Sequence, residues 1–133
     1  MANKVKALAF FILLISAGTG LVSCAKKTPD PTPTPTTRLQ LRVMDASNFN
    51  GNYVQNPKAQ LFKTNNDRLN KTSPVTPLIT GDADGYVNFD NLEAIDYYYN
   101  AYNNDETMSN ATQGSHTNAL KAGELNKVGT SVK

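Results

Sequence analysis

The 133-residue sequence contains no tryptophan, one cysteine and one histidine. A lone Cys24 excludes an intramolecular disulfide and a cysteine-based metal cluster. His116 lies in Gly114-Ser115-His116-Thr117, which reads as exposed loop, and its neighbour Ser115 makes no triad with it, because triads are assembled across a fold. No Gly-rich phosphate loop of the P-loop type occurs. Neither sign of charge dominates. The chain has 13 Lys and Arg against 11 Asp and Glu, and Lys4 and Lys6 both precede Cys24, so the remainder is balanced. Without a basic stripe, a nucleic-acid partner is not expected. No apolar run approaches the ~20 residues of a membrane-spanning helix, and no helix-period pattern of useful length or internal repeat is present. Asn, Thr and Tyr are plentiful, a composition that suits strands and turns.

The N-terminus has the layout of a secretory signal. Lys4 and Lys6 are followed by an apolar stretch at residues 7–17 and by Gly18-Thr19-Gly20. Leu21-Val22-Ser23-Cys24 then resembles the lipobox of bacterial lipoproteins. That resemblance implies removal of residues 1–23 and acylation of Cys24. The covalent lipid on Cys24 is the only non-protein group expected, and no cofactor is. Two or three acyl chains anchor firmly where one binds only marginally, so the membrane is the first partner. Ala25 after the cysteine offers no Asp-type retention signal, and Lys26 and Lys27 replace the acidic cluster of some surface-exported lipoproteins. The implied location is the Gram-negative cell envelope, on the outer membrane facing the periplasm. Residues 24–37 form a tether. Pro alternates with Thr or Asp across residues 28–37, which favours extended polyproline II at ~3.1 Å per residue.

Residues 38–133 form the folded part. Leu39, Leu41 and Val43 alternate with Arg38, Gln40 and Arg42, the period of a half-buried strand. Residues 45–52 are turn chemistry. Residues 58–63 form a second strand with Ala59 and Leu61 inward and Phe62 on the other face, and residues 66–70 hold a short helical turn. Two prolines make residues 74–80 an edge strand or an irregular crossing. Asp84-Gly85, followed by Val87 and Phe89 on one face, reads as a hairpin. The Tyr-rich stretch 96–102 is the strongest strand, with Tyr97, Tyr99 and Ala101 on one face and Tyr98, Asn100 and Tyr102 on the other. Residues 117–122 and 125–132 are weaker strand candidates. About seven short antiparallel strands predict an all-β sandwich.

The order of these segments is similar to that of the prealbumin-like (transthyretin-like) β-sandwich modules, which include carboxypeptidase regulatory-like and Cna-B-like domains. The matching stretches are Leu39 to Asp45, Ala59 to Phe62, Thr80 to Leu92 and Tyr97 to Ala101. The resemblance implies a buried corner tyrosine at Tyr97 with its hydroxyl bonded. It implies no chemistry, because the architecture hosts many roles.

Candidate sites are few. Asp82, Asp84 and Asp90 invite a calcium reading, but Gly85 falls at the fourth position of such a loop rather than the sixth. A hairpin turn, whose Asp84-Gly85 supplies the special backbone angles, is the favoured reading of the pair. Tyr98, Asn100 and Tyr102 could form an aromatic-amide platform for sugars or proteins. No catalytic residue stands out, and no enzyme activity is expected. The expected role is that of a lipid-anchored protein that binds or supports another envelope component. The alternatives are a carbohydrate-binding accessory of glycan uptake, with Tyr98, Asn100 and Tyr102 as contacts, and a structural or adhesion subunit that assembles by strand pairing.

Overall fold

A computed structural model describes residues 34–47, 51–111 and 115–133. The signal segment, Cys24 and most of the tether lie outside the described residues, as do residues 48–50 of the first turn and 112–114 of the long polar loop. Among the described residues six strands and one short helix follow in order: β1 (Thr37–Asp45), β2 (Lys58–Phe62), α1 (Asn65–Asn70), β3 (Ile79–Thr80), β4 (Tyr86–Leu92), β5 (Tyr98–Tyr102) and β6 (Leu125–Val132). They form two three-stranded sheets, β4-β1-β6 and β3-β2-β5.

The alternation in each strand makes the core. Leu39, Leu41 and Val43 of β1 and Val87 and Phe89 of β4 share one apolar cluster with Ala59 and Leu61 of β2 and Tyr99 and Ala101 of β5. The two sheets therefore bury their inner faces in one another, as a sandwich does. Within the first sheet, register sorts the pairs by face. Leu39 lies opposite Phe89 and Leu41 opposite Val87, whereas Gln40 lies opposite Asn88 and Arg42 opposite Tyr86. The first set is buried and the second faces outward.

Three sequence expectations change. The strand count is six rather than seven among the described residues, because residues 117–122 run irregularly past β5. Thr117 N–H donates to the Tyr97 carbonyl at 2.8 Å, and the Thr117 hydroxyl accepts from Tyr97 N–H at 2.9 Å. The hydroxyl thus replaces a ladder bond that a regular strand would supply. The sandwich is not wholly antiparallel either: β6 pairs parallel to β1, from Arg38 opposite Leu125 to Asp45 opposite Val132.

The Asp84-Gly85 turn does not close a hairpin. β3 belongs to one sheet and β4 to the other, so residues 81–85 carry the chain between layers. The turn is tight because Asp82 N–H donates to the Tyr86 carbonyl at 2.9 Å. The Asp82 Oδ1 also accepts from Asp84 N–H at 3.0 Å and Tyr86 N–H at 2.9 Å. The segment from Pro74 to Thr80 keeps its expected form, an irregular run ending in a two-residue edge strand. Pro77 has no donor, and the Thr76 hydroxyl accepts from Leu61 N–H at 3.2 Å in place of a ladder bond.

The corner expectation holds. Tyr97 is 1% exposed, its hydroxyl donates to the Glu93 carbonyl at 3.3 Å, and it accepts from Glu93 N–H at 3.1 Å. Burial pushes the phenol pKa up. Beyond β5, Asn110 acts as a side-chain substitute for a further strand. Its Oδ1 accepts from Ala101 N–H at 2.9 Å, and its amide donates to the Ser115 hydroxyl at 2.7 Å.

Candidate functional site

The platform expected on β5 is covered at its centre. α1 starts at the cap residue Thr64, whose hydroxyl accepts from Asp67 N–H at 3.1 Å, and ends at Lys71 in the left-handed region. It lays Arg68 over Asn100. The Arg68 guanidinium donates to Asn100 Oδ1 at 3.3 Å, and the Asn100 amide donates back to the Arg68 carbonyl at 3.1 Å. Arg68 is 7% exposed and Asn100 5%, so Asn100 holds the helix on the sheet rather than facing solvent. Tyr98 and Tyr102 remain half-buried on either side. The Tyr98 ring packs on His116 with centroids 4.5 Å apart, and Lys71 Nζ lies 5.4 Å from the Tyr102 ring. Burial of Asn100 divides the expected three-residue surface into two separate rings.

The other expected residues also find structural partners. His116 Nε2 lies 2.8 Å from Asp96 Oδ2, and that hydrogen bond holds the Asp96 carboxyl below the ordinary carboxylate range. Asp82 binds backbone N–H groups with one oxygen, Asp84 sits in the same exposed turn, and Asp90 lies out along β4. Among the described residues, no group of three or more His, Cys, Asp or Glu is arranged to hold a metal ion.

A different constellation lies on the outer face of the β4-β1-β6 sheet. Arg42 of β1 points outward opposite Tyr86 of β4. Tyr53 comes over it from the loop after β1, held by a bridge to Met44. The Arg42 guanidinium carbon lies 3.6 Å from the Tyr53 ring centre and 5.0 Å from that of Tyr86. Two aromatic rings therefore lie within cation–π reach of one guanidinium. Arg42 Nε is shut off from solvent without a hydrogen-bond partner, and no ion pair among the described residues holds the guanidinium. Gly85 makes room for Tyr53: its φ is +86°, and a Cβ there would stand 2.9 Å from Tyr53 Cβ.

Gly129 of β6 lies opposite Arg42 on the other side of β1 and leaves a notch in the face. Gln40, Arg42, Tyr86, Lys127, Val128 and Gly129 line a groove of about 330 Å³ there. A second groove, lined by Arg38, Gln40, Asn88, Asp90 and others, meets it at Gln40. The Gln40 amide donates to Asn88 Oδ1 at 3.0 Å and fixes both side chains. The alternation of β1 and β4 already put Arg42 and Tyr86 opposite the apolar face. Their pairing with each other and with Tyr53 depends on register, which the alternation does not disclose.

No family model matches the chain, and no curated protein matches it. Among solved structures the chain is similar to the Bacillus anthracis TIE protein, at 14% identity and a TM-score of 0.51, over 74% of this chain and 17% of that one. It is also aligned with BcpA, the major pilin subunit of Bacillus cereus, at 16% identity and a TM-score of 0.44, over 74% of this chain and 30% of that one. The chain therefore spans well under two thirds of either protein. The first likeness supports the β-sandwich fold.

Proposed function

We propose that the chain is a non-catalytic, lipid-anchored module of the cell envelope that holds another envelope component on the outer face of its β4-β1-β6 sheet. The observation that carries this reading is the Tyr53-Arg42-Tyr86 cluster, a cation beside two aromatic rings on a sheet face with no ion-pair partner among the described residues. Aromatic and arginine side chains that lose little freedom on binding make effective contact surfaces. The anchoring half of the reading rests on Leu21 to Cys24 and the tether behind it.

The test is site-specific photo-cross-linking in the native host. A photoreactive residue at Asn88, on this face, is expected to capture an envelope component. One at Asn66, on α1, is not. Equal capture from both positions, or none from Asn88, counts against the reading. Mass spectrometry of the mature N-terminus tests the anchor: an unmodified Cys24 removes the envelope tether.

Assembly by strand pairing is a second reading, favoured by one observation: β6 is an edge strand of its sheet. Because β6 already pairs internally with β1 along its length, pairing would take the form of a strand added to that edge rather than of β6 being donated. Concentration-independent sedimentation of the intact chain as a monomer counts against it.

A further inference from the structure

We propose that the outer face of the β4-β1-β6 sheet binds an acidic polysaccharide, with Arg42 and Lys127 receiving its carboxylates and the Gly129 notch seating a sugar ring. This names a ligand class for the face and rests on the reading that this face is the contact surface.

The first argument is charge. Arg38, Arg42 and Lys127 face outward from this sheet with Asp90 as the opposing charge, although the chain from Cys24 onward is balanced. Neither Arg42 nor Lys127 has an ion-pair partner among the described residues. The ligand this favours is anionic.

The second argument is the geometry of the guanidinium. The Tyr53 and Tyr86 rings lie 3.6 and 5.0 Å from the guanidinium carbon and Arg42 Nε is shut off from solvent, which leaves the terminal N–H groups as the route of interaction. In-plane donors in a fixed fork match a carboxylate, and such a fork loses little freedom on binding. Tyr53 keeps 44% of its surface exposed, which leaves an aromatic area beside the cation.

The third argument distinguishes a polysaccharide from a peptide. Peptides that bind sheets add a strand to an edge, where main-chain donors and acceptors are free. Here the lining is a sheet face, offering side-chain amides from Gln40 and Asn88, tyrosine rings and cations. Those groups suit hydroxyls and carboxylates spread along a polymer. The two grooves meet at Gln40 and run along β1 from Arg38 to Arg42, roughly 13 Å at strand rise. That length calls for an oligosaccharide rather than a single sugar. Gly129 supplies depth: the nearest atom to an added Cβ is Met44 Cε at 3.7 Å, so the notch comes from an absent side chain and not from strain.

The experiment is affinity electrophoresis of the intact chain in gels containing polygalacturonate, dextran or poly-glutamate, with binding also measured to phosphatidylglycerol and phosphatidylcholine vesicles. Polygalacturonate is expected to retard the chain, less so as salt rises, and dextran and poly-glutamate are not. Lys127→Gln, Arg42→Lys and Gly129→Val should each weaken retardation about tenfold or more, the size expected for one charge-assisted contact. Gly129→Val should leave the melting temperature unchanged or raised, since it puts a strand-favouring residue in an open position. Its loss of binding would therefore not reflect misfolding.

Failure of polygalacturonate to bind overturns the proposal. So does equal retardation by poly-glutamate, retention of binding in Gly129→Val, or preference for phosphatidylglycerol vesicles without polysaccharide binding. If polygalacturonate fails while cross-linking from Asn88 persists, the ligand class is wrong and the contact face stands. If both fail, the face itself is wrong.

Discussion

Single side chains replace regular structure where this small sandwich runs out of strands. Tyr97 is the clearest case, since its hydroxyl bonds to both the carbonyl and the N–H of Glu93 and closes the corner before β5. Tyr97→Phe keeps the ring in the core and removes only those bonds, so it should cost about 1 kcal/mol, read from the urea midpoint. Asp96 ties the start of β5 to the segment at His116, and its carboxyl is held below its ordinary value by the His116 hydrogen bond. A depressed carboxylate stabilises the fold above its unfolded pKa, and that contribution is lost as pH falls through the folded value. Asp96→Asn should therefore be less stable than the parent at neutral pH, with the gap narrowing below about pH 4. Urea midpoints measured from pH 7 to pH 2 check this, and a constant gap would show that the pair contributes nothing. Both residues are exposed, so the effect is small.

Elements here are short, and their ends carry as much information as their middles. The crossing from β3 to β4 depends on Gly85, whose positive φ and closeness to Tyr53 and Val43 exclude a Cβ. Gly85→Ala should lower stability by about 2 kcal/mol, combining backbone strain with steric conflict. It should also shift Tyr53 off Arg42, visible as a change in the near-ultraviolet tyrosine signal. Among the helices and strands, β1, β2, β4 and β5 were legible from period-two alternation or β-branched and aromatic content, and α1 from its polar turn. The stretch from 117 to 122 was not. Only Thr117 in it favours a strand, and the Thr117 hydroxyl with single backbone bonds from Thr117 to Tyr97 and from Leu120 to Ile95 takes the place of a ladder. A hairpin was equally wrong for Asp84-Gly85, because turn chemistry specifies a reversal and leaves open which layer the chain enters next.

For the whole molecule, closure depends on pairing the two ends of the described domain. β1 lies between β4 and β6, and β6 brings Val132 into the core from the far end of the sequence. Pairing residues this distant is slow, because the loop entropy is lost before the contacts form. A chain ending at residue 124 would leave one side of β1 unpaired and remove Val132. It should give no cooperative thermal transition by circular dichroism. A sharp transition near that of the full chain would show that β6 is an accessory strand.

The sequence by itself determined the strand faces, the buried corner at Tyr97, the covered position of residues 59 and 61, and the expectation of a lipid anchor at Cys24. These follow from local period, from a short motif read in order or, for the Tyr97 corner, from the resemblance to prealbumin-like modules. Tertiary structure alone decided which residues meet. It buried Asn100 beneath Arg68, sent β4 to the other sheet, laid β6 parallel to β1, and brought Tyr53, Arg42 and Tyr86 into one cluster. The physical reason is register. Alternation says which way a side chain points, but a neighbour across the sheet is set by how two distant strands align, and that alignment is fixed by the shared core between them.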